Sequence, residues 1–228
     1  MFPLYDTVRS RTFPLINLTL VLANVLAFLY ELRLDPAALR EFIFTWGLIP
    51  AHLIGDPNGT WPNIFSSMFL HGGWFHIISN MWVLLIFGDN VEAGMGKVRY
   101  LIFYLLSGVA AGLLQTYILP ASTVPMIGAS GAVAGVLGAY LVLFPHSRIA
   151  SLVPLLFIFT IVEIPAMLFL IFWFFSQLYS GLGAIQGGGE SGLAWWAHIG
   201  GFAFGVLIVF FFRKRTPYLI DYRRGYGP

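Results

Sequence analysis

The chain has 228 residues, of which 58% are hydrophobic and only 10% charged, with a formal net charge of +2. A soluble domain carries about 25% charged residues, so this composition cannot coat a water-soluble body, and a disordered chain would be more polar still. Twelve Lys and Arg against ten Asp and Glu leave no basic face for nucleic acid, and zero cysteines exclude disulfides, thiolate chemistry and Cys-ligated metals. The class that remains is a polytopic membrane protein, read as a single domain over residues 1–228 with a mean hydropathy of +0.82.

A helix that crosses a membrane needs roughly 20 apolar residues. Taken in chain order, the predicted spans are 13–30, 72–87, 100–118, 129–144, 165–182 and 194–212. Arg9 and Arg11 precede the first run as they would in a signal peptide, but no small-residue cleavage pattern follows, so it reads as a retained span. Residues 34–63 are rich in aromatics, Pro and Gly but broken by Asp35, Arg40, Glu41 and Asp56. They read as a partly embedded external loop with short amphipathic helices. The fourth span covers only about 24 Å. Its start is therefore expected inside the membrane, reached by a descending segment, 119–127, that holds Pro120 and Pro125. Residues 146–162 read as a connection touching the membrane surface, and Glu163-Ile164-Pro165 as the start of the fifth helix. With the N-terminus inside, Arg9, Arg11, Lys97, Arg99, Arg148, Arg213, Lys214, Arg215, Arg223 and Arg224 all lie on the cytoplasmic side, and only Arg33 and Arg40 outside.

Polar side chains within such spans are costly and point to function. The informative ones are His71, His76 and Asn80 at the second span, Ser130 in the fourth and His198 in the sixth. Ser130 and His198 each stand roughly 21 Å above the cytoplasmic ends of their helices, at Phe144 and Phe212, and His76 stands roughly 20 Å above Asp89. Asn80 is one turn deeper on the face of His76, so the four meet at one depth, with His71 above them near the interface. Gly131 and Gly135 on the fourth span, and Gly201 and Gly205 on the sixth, form Gly-x-x-x-Gly faces that let backbones approach closely. Gly108 and Gly112 offer a further contact on the third. Simpler readings exist for each residue alone: a membrane serine often bonds its own backbone, and Asn17, Asn24 and Gln115 read as interhelical hydrogen-bonders. His52 and His146 fall in loops. Histidines on two helices could also ligate haem, and a non-catalytic binder of membrane clients is a further alternative.

Five stretches occur together in one order: Trp46-Gly-Leu-Ile-Pro50, His71-Gly-Gly-Trp-Phe-His76-Ile-Ile-Ser-Asn80, Gly88-Asp-Asn-Val-Glu92, Gly128-Ala-Ser-Gly131 and Ala197-His-Ile-Gly-Gly201. In this the chain resembles the rhomboid family of intramembrane serine proteases, in its basic six-span form. The resemblance implies an all-α membrane protein, a six-transmembrane-helix rhomboid bundle with an embedded first external loop and both termini cytoplasmic, in a cell membrane expected to be prokaryotic. It implies Ser130 as nucleophile and His198 as general base, His76 and Asn80 as the oxyanion pair, and Gly128 as the glycine before the nucleophile. It implies no cofactor, metal or nucleic-acid partner; the partners are the lipid bilayer and transmembrane substrates cut near their outer end. The fifth span and loop 183–193 are the candidate gate and cap. Some members carry an aromatic residue one turn after the nucleophile that stacks on the base. Here that position is Ala134, so another residue must orient His198.

Overall fold

The computed structural model describes residues 2–10, 12–155, 158–186, 194–214 and 221–222. Basic residues Arg11, Arg215, Arg223 and Arg224 and the greater part of the expected cap, 187–193, lie outside them.

Two strands, β1 (Phe2–Asp6) and β2 (Val8–Arg9), precede the first long helix, α1 (Leu15–Glu31). Four short helices follow: α2 (Pro36–Trp46), α3 (Pro50–Gly55), α4 (Pro57–Thr60) and α5 (Asn63–Ser66). Their starts are written in the sequence. Pro36, Pro50 and Pro57 each open a helix, where the missing N–H costs nothing. The Asp35 carboxylate accepts the Ala37 and Ala38 N–H groups at 2.9 Å as the cap of α2. A 3₁₀ turn, Ser67–Phe69, leads to α6 (Trp74–Met95), and Gly96, at φ +88°, turns the chain into α7 (Lys97–Ile118). Then come α8 (Ser130–Leu143), a hairpin of β3 (Arg148–Leu155) and β4 (Ile158–Pro165), α9 (Ala166–Gln186), α10 (Trp195–Phe212) and the short β5 (Asp221–Tyr222).

Helices α1, α6, α7, α8, α9 and α10 overlap the six apolar stretches of the sequence. By length and apolarity α7, α9 and α10 suffice to cross a membrane; α6 does so together with the short helices before it, from which it bends by 80°. At 17 and 14 residues, α1 and α8 are shorter apolar helices. The outer surface is apolar, unlike that of a soluble protein. Leu22 and Leu26 of α1, Phe172 and Tyr179 of α9 and Phe210 and Phe211 of α10 face outward, while the interior holds polar side chains. Central α8 is buried from Gly131 through Tyr140 and shares a core with Leu84, Phe103 and Tyr104.

The all-α expectation needs correction. Strands β1, β3 and β4 form an antiparallel sheet in the order β1-β3-β4, and β2 pairs with β5. Residues 146–162, expected as a surface connection, fold into the hairpin. Glu163 and Pro165 are not a helix start; they end β4, paired with Ala150 and Arg148, and α9 opens at Ala166. Thr160, Ile161, Val162 and Ile164 of β4, with Ile149 and Val153 of β3, are β-branched residues that favour strands, and Pro165 sits at the strand's end, where its missing donor is tolerated.

The motif Gly88–Glu92 ties α6 to the N-terminal segment. The Glu92 carboxylate accepts the Ile16 and Asn17 N–H groups at 3.2 and 2.8 Å, capping α1. Asn90 Nδ2 donates to Asp6 Oδ2 at 2.9 Å, and the Tyr140 hydroxyl donates to the same oxygen. Burial, reinforced by the nearby Asp89 charge, pushes the Asp6 carboxyl up to about 7. Asn17 is an interhelical bridge, donating to Leu84 O at 3.0 Å and accepting from the Tyr100 hydroxyl at 2.7 Å. Asn24, expected to act likewise, donates to Leu20 O on its own helix.

Candidate active site

The approach to Ser130 is built from two straps. Leu48, in the motif Trp46–Pro50, pairs its N–H and carbonyl with the carbonyl and N–H of Met126 at 3.0 and 2.7 Å. Ala51 N–H donates to Ser122 O at 3.0 Å. The Ser66 hydroxyl donates to Trp46 O at 2.6 Å, and Asn63 Nδ2 to Thr45 O at 2.9 Å, so the loop that holds this segment is itself held. Gly128 ends the strap. Its φ of +116° suits glycine alone, and its N–H donates to Ser67 O at 2.8 Å. Two residues later Ser130 opens α8, where the first backbone N–H groups have no intrahelical acceptor.

The helices α8 and α10 meet through backbone. A β-carbon at Gly201 would lie 1.9 Å from the Gly131 carbonyl oxygen, and one at Gly205 2.1 Å from that of Gly135. At Gly131 and Gly135 a β-carbon would strike Ala111 and Ser107 of α7 at 2.6 and 2.3 Å. Gly108 and Gly112 admit Met68 and Leu48, side chains of the first loop. The contact of α8 with α10 puts Ser130 Oγ 2.8 Å from His198 Nε2. Both residues are partly exposed, and a cavity bounded by Ser67, Met126, Gly128, Ala194 and Ala197 opens beside the serine.

His76 and Asn80 stand beside Gly128. A β-carbon there would lie 2.5 Å from His76 Nε2 and 3.6 Å from Asn80 Nδ2, so the glycine clears the space His76 fills. Among the described residues no group of three or more His, Asp or Glu could hold a metal ion.

A rhomboid-domain family model matches residues 58–215, which contain Ser130 and His198. The chain belongs to the rhomboid family. The rhomboid protein YdcA of Bacillus subtilis is 30% identical over 143 residues, covering 62% of this chain and 69% of that protein. RHOMBOID-like protein 4 of Arabidopsis thaliana is 35% identical over 166 residues, covering 72% of this chain and 37% of the relative. Rhomboid protease AarA of Providencia stuartii is 30% identical over 141 residues, 54% of this chain and 49% of its own length. The chain thus spans about half or less of the last two. Family and apolar helices together make it an integral membrane protein.

Three polar residues of this rhomboid site escaped the sequence reading in whole or in part. Gln177 of α9 places Oε1 2.8 Å from His198 Nδ1. It meets the ring nitrogen opposite Ser130, and its signal in the sequence is the same as that of Asn17: an amide within an apolar span. His71 is 2% exposed, with Nε2 3.1 Å from Asn80 Nδ2 and Nδ1 3.3 Å from Phe69 O. A ring that donates to Phe69 O through Nδ1 accepts from Asn80 through Nε2. Glu31, at the end of α1, accepts the His71 N–H on both carboxylate oxygens at 3.1 and 3.2 Å. Gln115 accepts the Ala197 N–H at 3.2 Å, linking α7 to the start of α10.

Proposed function

We propose that this rhomboid is an intramembrane serine endopeptidase that cuts transmembrane segments of other membrane proteins near their outer end, with Ser130 as nucleophile and His198 as general base. The observation that carries the reading is the 2.8 Å bond between Ser130 Oγ and His198 Nε2, made between two helices whose backbones touch.

The chemistry follows from the placement. His198 Nε2 takes the hydroxyl proton as Ser130 Oγ bonds to the substrate carbonyl carbon. The oxygen that becomes negative is met by Asn80 Nδ2, by His76 and by the unpaired N–H groups at the start of α8, with the helix dipole behind them. The C–N bond then breaks, and the leaving amine receives the proton from His198. Water repeats the sequence on the acyl-serine: His198 takes its proton, its oxygen bonds to the carbonyl carbon, and Ser130 leaves with the proton. An intact helix keeps its carbonyls hydrogen-bonded, so a substrate unwinds locally before it is cut, and residues that weaken helices favour cleavage. The six long helices act as six crossings with both termini cytoplasmic, an orientation supported by the distribution of Lys and Arg. The alternative of haem ligation is disfavoured for His198, because Ser130 and Gln177 occupy both ring nitrogens.

The test is a serine-directed phosphonate probe on detergent-purified protein, with the adduct mapped by mass spectrometry, alongside cleavage of a transmembrane substrate in proteoliposomes. An adduct on Ser130 that disappears in His198→Ala, together with loss of cleavage in Ser130→Ala, is the expected result. Wild-type cleavage by Ser130→Ala overturns the assignment.

A further inference from the structure

The imidazole of His198 is held at both nitrogens. Nε2 faces Ser130 Oγ and Nδ1 faces Gln177 Oε1, each at 2.8 Å. The other end of the Gln177 amide is committed elsewhere. Its Nε2 donates to Ser176 Oγ at 3.0 Å and lies 3.4 Å from Trp173 O, so the carbonyl end is the one turned to the ring. A carbonyl oxygen only accepts, which requires the hydrogen on Nδ1. A neutral imidazole carries a single N–H, so Nε2 is left with its lone pair aimed at the serine. Gln177 is 8% exposed, on the inward face of α9 that also buries Leu170 and Gly181. At that burial a hydrogen bond is strong, and its loss leaves a ring N–H unsatisfied.

Trp173 and Trp195 flank the imidazole at 6.1 Å between ring centres, tilted by 35° and at 89°. They confine the ring but cannot distinguish one nitrogen from the other. That discrimination falls to the amide. In triad proteases an aspartate sets the tautomer and also stabilises the imidazolium. A neutral amide does the first without placing a charge in the bilayer.

Resting on the proposed dyad, we propose that Gln177 is its positioning residue, fixing the His198 tautomer that leaves Nε2 as the base toward Ser130.

The experiment compares Gln177→Met and Gln177→Glu with wild type in proteoliposomes, reading kcat, KM, the pH dependence of kcat/KM and the rate of phosphonate labelling at Ser130. Methionine keeps length and loses the acceptor. It should lower kcat by about 10- to 100-fold with KM within about twofold, and slow labelling in parallel. Glutamate restores an acceptor when ionised. When the pair gains a proton, either the imidazole or the new carboxyl takes it. The first form has no base; the second puts a donor on Nδ1 and turns the proton toward Nε2. The acid limb of the profile should therefore move to higher pH by about one unit or more, with activity recovering above it. Melting in detergent identifies any misfolded variant. Should methionine destabilise the protein, the displaced limb of the glutamate variant still decides. An acid limb at its wild-type position in Gln177→Glu, or kcat within twofold of wild type in a folded Gln177→Met, overturns the proposal. Failure of wild-type protein to label at Ser130 would instead overturn the dyad, so the two failures are distinct.

Discussion

The contact between α8 and α10 leaves no slack, and Gly201→Ala measures what that is worth. The added β-carbon would lie 1.9 Å from the Gly131 carbonyl oxygen, 3.0 Å from its carbon and 3.3 Å from the Gly135 nitrogen. All three are backbone atoms, so no side chain can turn aside. A carbon–oxygen contact settles at roughly 3.3 Å, and the helices must therefore part by about 1.4 Å. Ser130 and His198 sit within one turn of this contact and are 2.8 Å apart, so the same displacement carries Oγ and Nε2 to about 4 Å, outside hydrogen-bond reach. A misplacement near 1 Å costs about 10²-fold in rate, and overpacking costs about 1–3 kcal/mol of stability. The assay is cleavage of a transmembrane substrate in proteoliposomes, with thermal melting in detergent read in parallel. Gly183→Ala on α9 is the control, since a β-carbon there meets no atom within 4 Å. Retention of more than half the wild-type turnover by Gly201→Ala, with an unchanged melting temperature, would refute the claim that backbone contact sets the dyad distance.

Three further outcomes follow from other parts of the site and scaffold. Asn80→Ala should lower kcat by about 10²–10³ with little change in KM; steady-state kinetics showing a raised KM and intact kcat would remove Asn80 from the oxyanion site. Asp6 moves from an ordinary 3.8 to about 7 on folding. The folded state thus holds the proton more tightly, and the stability this supplies is complete below pH 3.8 and lost as pH rises through about 7. Asp6→Asn keeps an acceptor for the Tyr140 hydroxyl and should flatten the decline in melting temperature over that window, whereas an unaltered slope would assign the decline to other groups, Asp89 first. Glu92→Ala removes the acceptor for the Ile16 and Asn17 amides, and should cost about 1–2 kcal/mol with faster hydrogen exchange confined at first to the start of α1; unchanged exchange there would dismiss the cap.

Depth and span length carried the sequence reading as far as Ser130 and His198, because helical rise converts residue number directly into height. The reading reached the glycine faces for a related reason: in lipid, only small residues allow two backbones to touch. Helix α6 runs on to Met95, past the end of the apolar stretch near 87, through Asp89, Asn90 and Glu92. The partners of Asn90 and Glu92, which are Asp6, Ile16 and Asn17, lie more than seventy positions away, beyond the reach of a local reading. The sheet was illegible for the same kind of reason. Pairing of Phe2–Asp6 with Ile149–Leu152 is non-local, and an apolar β-branched run reads equally well as a surface connection. Gln177 carries the same signal as Asn17, Asn24 and Gln115, an amide whose burial in an apolar helix is costly without a partner, and nothing in the sequence tells which of these amides meets His198.

The two sides of the His198 ring differ in how they are built, and that difference sets where the protein tolerates change. On the Ser130 side, the distance is fixed by backbone against backbone across α8 and α10, and Gly131 and Gly135 are hemmed in by α7 as well. No side chain there can be enlarged without moving the nucleophile. On the other side, Nδ1 is met by the Gln177 amide from α9, a helix whose outward face includes Phe172, Phe175 and Tyr179. That face can vary freely among apolar residues, since nothing in the site reads it. The inward requirement is narrow: an acceptor, uncharged, at the reach of a glutamine. Backbone contact therefore governs distance and an amide governs proton placement. Substitutions at Gly201 or Gly205 should lower labelling of Ser130 at every pH, while those at Gln177 should change how labelling depends on pH.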